Sequence, residues 1–140
     1  MRVLLIAIPE SIGDVIHKAF QELGWEAEII QVEEEQTALQ RLIIGNYNMV
    51  FLNAGFLQNH PKIEQALFHI PIEKRRNTIF ILIDAEMKTF DQIGAFVKNV
   101  NAVINVKDLP YLSKFLPQIV ETHDALYRGF QKIREELELA

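Results

Sequence analysis

The 140-residue chain contains no cysteine, which excludes disulfides, thiolate zinc sites and cysteine nucleophiles and leaves the redox compartment undetermined. It has no excess of positive charge: the formal net charge is -5, which argues against a broad surface for nucleic acid or anionic lipid. Long apolar runs are missing too, and none approaches the roughly 18 residues that a membrane-spanning helix needs. The opening MRVLLIAIPES carries one arginine and a short apolar run with no small-residue cleavage site after it, so it reads as a first β-strand and a cytoplasmic location is expected. The phosphate-cradling patterns GxGxxG and GxxxxGK followed by Ser or Thr are absent, as are a GxSxG elbow and a histidine placed for a hydrolase. Nucleotide binding and acyl transfer therefore have no positive support.

What is present is ordinary for one soluble domain: 49% hydrophobic and 24% charged residues. A chain of this length can bury roughly two thirds of its unfolded surface in a single core. Strand-like and helix-like segments then alternate. Val3 to Ile8 is a continuous apolar run of the kind buried on both faces of a sheet. Ser11 with Asp14 resembles a capping box, followed by Ile12, Val15, Ile16, Ala19, Phe20 and Leu23 at helical spacing and Gly24 as a stop. Ala27 to Val32 reads as the second strand, and Glu33, Glu34 and Glu35 place negative charge at the next helix start. Met49 to Leu52, Thr78 to Ile83 and Ala102 to Val106 supply three more strands. Pro61 to Ile70 reads as a helix, and Thr89 with Gln92 reads as a capping box for a helix whose apolar side is Phe90, Ile93, Phe96 and Val97. Five strand–helix repeats imply a parallel sheet covered on both faces. The expectation is one α/β domain over residues 1–140, a (βα)5 three-layer sandwich of strand order 2-1-3-4-5, with residues 122–140 as a helical extension.

The stretches RVLLIAIPESIGDVIHKAFQELGW, NYNMVFLN and VNAVINVKDL, in this order and spacing, resemble the receiver domain of bacterial response regulators over about the first 120 residues. The resemblance implies a phosphorylation pocket built from an acidic pair that holds Mg²⁺, a nucleophilic aspartate, a hydroxyl and a lysine. Magnesium requires hard oxygen ligands, the carboxylate attacks phosphorus, and the lysine balances the charge on the product. Here the acidic pair falls on Ala7 and Ile8, with only Glu10 nearby as an imaginable substitute. The nucleophile position is Asn53, whose amide cannot become an acyl phosphate. The hydroxyl position falls on Asp84 or Ala85, and Lys107 alone matches. The resemblance thus implies a degenerate pseudo-receiver with no catalytic residue, no metal and no cofactor. PIEKRRNTIFILI, AFVKNVNAVINVKDL and HDALYRGF are also similar to the C-terminal domain of some bacterial zinc-ribbon proteins, which adds a regulatory or scaffolding role and no zinc ligand.

Helical sequence continues from Pro110 towards Ala140. Leu116, Ile119, His123, Leu126, Phe130, Ile133 and Leu137 follow steps of three and four, the seam of a coiled coil. The first half of that stripe can cover the chain's own sheet, and a second copy of the helix is the expected cover for the rest. Pro117 inside the helix points to a kink or a second segment. A homodimer with an unidentified protein partner, and with neither nucleic acid nor membrane, is the resulting expectation.

Other candidates have plainer readings beside the functional ones. His123 on the seam suggests a pH-sensitive dimer, against a simple hydrogen bond at an interface edge. His17, His60 and His69 lack metal spacing and read as surface residues. Lys74, Arg75 and Arg76 form the one basic cluster, read as a solvated turn rather than a phosphate site. Asn53, Asp84 and Lys107 should meet at the carboxyl edge of the sheet, either around a small polar ligand or as an Asp84–Lys107 ion pair with Asn53 capping a turn.

Overall fold

The computed structural model describes residues 1–139, with the side chains of Phe130, Gln131, Arg134 and Leu139 outside that description. Five parallel strands, β1 (Arg2–Ile6), β2 (Glu28–Val32), β3 (Met49–Asn53), β4 (Ile79–Asp84) and β5 (Ala102–Asn105), form one sheet of order β2-β1-β3-β4-β5. The order expected from the alternation of strands and helices is the one observed. Successive side chains point to opposite faces, so each apolar strand feeds two cores. Val3, Leu5, Met49, Phe51, Ile81 and Ile104 face one side, where α1 (Glu10–Glu22) and α7 (Leu112–Leu139) cover them. Leu4, Ile6, Val50, Leu52, Phe80 and Val103 face the other, where α2 (Glu35–Ile44), α4 (Pro61–Phe68) and α6 (Gln92–Lys98) lie.

Helix ends differ from expectation in ways that have local causes. Helix α1 starts two residues early, after Pro9, and no side chain caps it, so the Ser11–Asp14 box does not form. Its stop is as expected: Gly24 sits at φ +68°, and Trp25 N donates to Phe20 O at 2.9 Å, a left-handed turn that glycine enters without Cβ strain. Helix α6 is capped by Asp91, whose side chain accepts from Gly94 N at 2.9 Å, and not by Thr89. Two short helices lay unread in the sequence, α3 (Ala54–Gln58) and α5 (Ile72–Arg75). Pro110 belongs to a 3₁₀ turn, Val106–Tyr111, ahead of α7. Helix α7 runs unbroken through Pro117, which has no N–H to offer the Ser113 carbonyl.

The basic cluster is not a solvated turn. Lys74 Nζ donates to the last carbonyls of α2, those of Leu42 and Ile43, and burial pushes its pKa down. Arg75 lies over the Phe80 ring, 5.3 Å from its centroid, and donates to Asn99 O at 3.1 Å and to Leu67 O. Burial lowers its pKa as well, with Tyr127 acting in the opposite sense. One planar fork therefore ties α4, α6 and β4 together, and the Arg75 carbonyl accepts from His123 Nε2 on α7 at 2.9 Å. A lysine cannot span these acceptors and also stack. Arg75→Lys is expected to lower unfolding free energy by about 1–3 kcal/mol, measured by urea denaturation; an unchanged midpoint would show that the fork carries nothing.

Candidate functional site

The carboxyl ends of β1, β3, β4 and β5 line up side by side, with Ile6 paired to Leu52, Asn53 to Ile83 and Asp84 to Asn105. Ala7 follows β1 at φ +53° and is half-buried, and Ile8 is buried in the α1 core. Neither offers a side-chain oxygen. Glu10 is exposed on the first turn of α1. Among the described residues no group of three His, Asp or Glu side chains could hold a metal ion. The donor set at this edge thus does not fit Mg²⁺, which wants several hard oxygens in octahedral array.

Asn53 fills the space differently. Its Nδ2 donates to Ala7 O at 2.9 Å, and its Oδ1 accepts from Gly55 N at 3.0 Å while capping α3. Only a side chain with one donor and one acceptor end can satisfy both backbone groups, and an aspartate has no donor when ionised. Asn53 capping a turn is the reading the geometry bears out. The Asp84–Lys107 ion pair is not found among the described residues: Asp84 Oδ1 accepts from Glu86 N at 2.9 Å, and the Lys107 side chain is exposed. The three candidates do not meet.

Residues that the sequence left unassigned complete the edge. Asn105 is 9% exposed; its Nδ2 donates to Met87 O at 2.7 Å, and its Oδ1 accepts from Lys107 N at 2.9 Å. Asn105 N donates to Thr89 Oγ1 at 2.9 Å, and that hydroxyl donates to Asp108 Oδ2 at 2.6 Å. Gln31 Nε2 donates to Ile8 O at 2.7 Å. Each of the four loops at this edge is closed by a neutral amide or hydroxyl bound to backbone. An asparagine ending a buried strand, as at 53 and 105, was the available signal. Beside Asp84 lies a cavity of about 190 Å³ lined by Leu57, Gln58, Glu86, Met87 and Lys98 among others. Neither Asn53 nor Lys107 borders it.

The stripe on α7 divides at His123. Leu116, Ile119 and His123 are buried at 0%, 4% and 6% exposure in the chain's own fold, so these three do not belong to an intermolecular seam. His123 donates to Arg75 O within its own chain, and its other ring nitrogen lies 3.8 Å from Asp124, which removes the basis for a seam histidine that senses pH. Leu126, Ile133 and Leu137 are 61%, 60% and 72% exposed. Phe130's side chain lies outside the described residues. The apolar side expected to bury α6 is also turned outward: Ile93, Phe96 and Val97 are 79%, 83% and 66% exposed, and Ala95 alone of that helix is buried. Among the other histidines, His60 stacks on Phe56 at 3.8 Å and bonds its carbonyl.

Fold and edge together define a (βα)5 domain of strand order β2-β1-β3-β4-β5 whose carboxyl edge is closed by amides. Among solved structures, the chain is similar to a response regulator from Hahella chejuensis, with TM-score 0.61 and 14% identity over 87% of this chain and 91% of that one. It is similar to the signal receiver domain of a Luxo repressor protein from Vibrio parahaemolyticus, at TM-score 0.60 and 16% identity over 94% and 95%. A third match, at TM-score 0.59 and 14% identity over 99% and 92%, is a yeast Spc42 trimeric coiled-coil segment fused to another structure. No family model and no curated protein matches. At these identities the likeness is one of fold.

Replacing Asn53 with aspartate removes the donor facing Ala7 O. Asn53→Asp is expected to cost about 1–3 kcal/mol at neutral pH, read by thermal or urea unfolding. A variant as stable as the parent would contradict the bridging role.

Proposed function

We propose that this chain is a phosphorylation-independent, receiver-like signalling or scaffolding module that acts by binding proteins and not by chemistry. The observation that carries the reading is the Asn53 amide, which joins Ala7 O to Gly55 N where the resemblance requires a nucleophilic carboxylate and a metal. An amide is not a nucleophile towards phosphorus, and without Mg²⁺ the charge of a transferring phosphoryl group has no counter-ion. The module is a homodimer through the part of α7 that leaves the sheet. An amphipathic helix whose apolar stripe faces water is marginal by itself, and Leu126, Ile133 and Leu137 give that stripe three exposed anchors. The location that suits such a module is the cytoplasm; among the described residues no helix is long and apolar enough to cross a membrane. The cavity beside Asp84 favours a second reading, a small-ligand sensor, because it is concave and carries Gln58, Glu86 and Lys98.

Two measurements test the reading. Incubation with acetyl phosphate and Mg²⁺ is expected to leave the intact mass unchanged for both the parent chain and Asn53→Asp; a stoichiometric phosphoryl adduct on either would overturn it. Light scattering is expected to give a dimer for the full chain and a monomer for Ile133→Asp/Leu137→Asp, whose substituted positions are exposed and do not support the core. A monomeric parent chain would remove the homodimer from the proposal.

A further inference from the structure

Of the basic triplet ahead of β4, Lys74 and Arg75 bind backbone carbonyls of their own chain. Arg76 does not. Its backbone N–H closes α5 on Ile72 O at 2.9 Å, and its side chain borders a cavity of about 380 Å³ against α7, lined otherwise by Asp124, Tyr127 and Arg128. The Arg76 Nε is buried and has no hydrogen-bond partner, and among the described residues it is the one buried side-chain nitrogen or oxygen in that condition. Buried donors are almost always bonded, and a charged one left without an acceptor is penalised more than a neutral one. The atom therefore marks a place that an acceptor from outside the chain would fit.

A second guanidinium stands at the same cavity. Arg128 Nε donates to Asp124 O, one turn back along α7, at 3.3 Å, which holds the side chain along the helix. Asp124 borders the cavity too, yet neither arginine pairs with it: the ion pairs among the described residues are Arg2–Glu28, Lys98–Glu64 and His123–Asp124. The two walls are fixed to each other, because His123 Nε2 of α7 donates to Arg75 O at 2.9 Å and the Tyr127 ring packs on the His123 ring at 4.7 Å.

We propose that this cavity binds a phosphate monoester between the Arg76 and Arg128 guanidiniums, with the Tyr127 hydroxyl as a further donor. A carboxylate has two oxygens, which one planar guanidinium satisfies by itself. A phosphate monoester has three terminal oxygens and a charge of about -1.5 to -2 at neutral pH, enough for two forks and a hydroxyl. The net charge of -5 disfavours a polyanion spread over the surface, whereas a single phosphoryl group feels mainly the charges within a Debye length of about 8–10 Å. The site lies ahead of β4, at the end of the sheet opposite Asn53 and Asn105, so it needs neither the closed carboxyl edge nor the homodimer. Asp124 works against the anion as a like charge, which gives the test a sign.

The test follows the arginine Nε–H resonances of the full chain while inorganic phosphate is added at constant ionic strength. Saturable shifts are expected at Arg76 and Arg128, and none with acetate. Arg76→Lys, which keeps the charge and loses the fork, and Arg128→Gln, at an exposed position, are each expected to weaken phosphate binding roughly tenfold or more. Asp124→Asn is expected to tighten it. Shifts that do not saturate, equal shifts with acetate, affinity unchanged in both arginine variants, or weaker binding by Asp124→Asn would each overturn the proposal. O-phosphoserine, free and within a peptide, then separates the sources: tighter binding of the peptide assigns the phosphoryl group to a partner protein, and equal or weaker binding assigns it to a small phosphorylated molecule.

Discussion

The hydrogen bond from the Asn53 amide to the Ala7 carbonyl, 2.9 Å long, holds the neighbouring strands β1 and β3 together at the carboxyl edge of the sheet. Ala7 leaves β1 in a left-handed conformation, φ +53°, which costs a non-glycine residue of order 1 kcal/mol and turns its carbonyl towards β3. A donor must meet that carbonyl, because a buried acceptor without one is penalised by about 1–3 kcal/mol. The residue that satisfies it also has to accept from Gly55 N. This pair of demands selects asparagine and disfavours the ionised carboxylate that phosphotransfer requires.

The same logic extends across the edge. Asn105 closes the β4 and β5 loops, Thr89 is held between Asn105 N and Asp108, and Gln31 reaches Ile8 O. The next residue, Phe90, sits at φ +64°, donates its N–H to Val103 O at 2.8 Å and sets its ring edge-on to Phe115 at 5.1 Å. Phe90 lines a cavity between α6 and α7. The hydrogen-bonded carboxyl edge and the cavity wall at Phe90 are thus neighbours along one stretch of chain. Arg75 plays the corresponding part at the opposite end, joining α4, α6 and α7 through backbone carbonyls.

The sheet was legible because it is buried on both faces: Val3 to Ile6 or Ile79 to Ile83 cannot be read as anything amphipathic. The lack of side-chain carboxylates at Ala7, Ile8 and Asn53 was legible directly, and the Asn53 turn cap was anticipated. The staples at Asn105 and Thr89 were not, since a polar residue's partners are backbone groups brought close only by the fold. Helix α6 was misread for a related reason. Ile93, Phe96 and Val97 have helical spacing, but periodicity does not say which side meets the sheet, and small Ala95 took the inward position. The stripe on α7 was continuous in sequence and is divided in space, because the sheet ends near His123 while the helix does not.

The account depends most on the carboxyl edge being unable to take a metal and a phosphoryl group. Backbone amide shifts recorded while Mg²⁺ and beryllofluoride, a phosphoryl mimic, are added together test this at every residue of the edge. No saturable change is expected at Ala7, Asn53, Gly55, Thr89 or Lys107. Concerted, saturable shifts at these amides would mean that the edge still binds a phosphoryl-like group, contradicting the central claim.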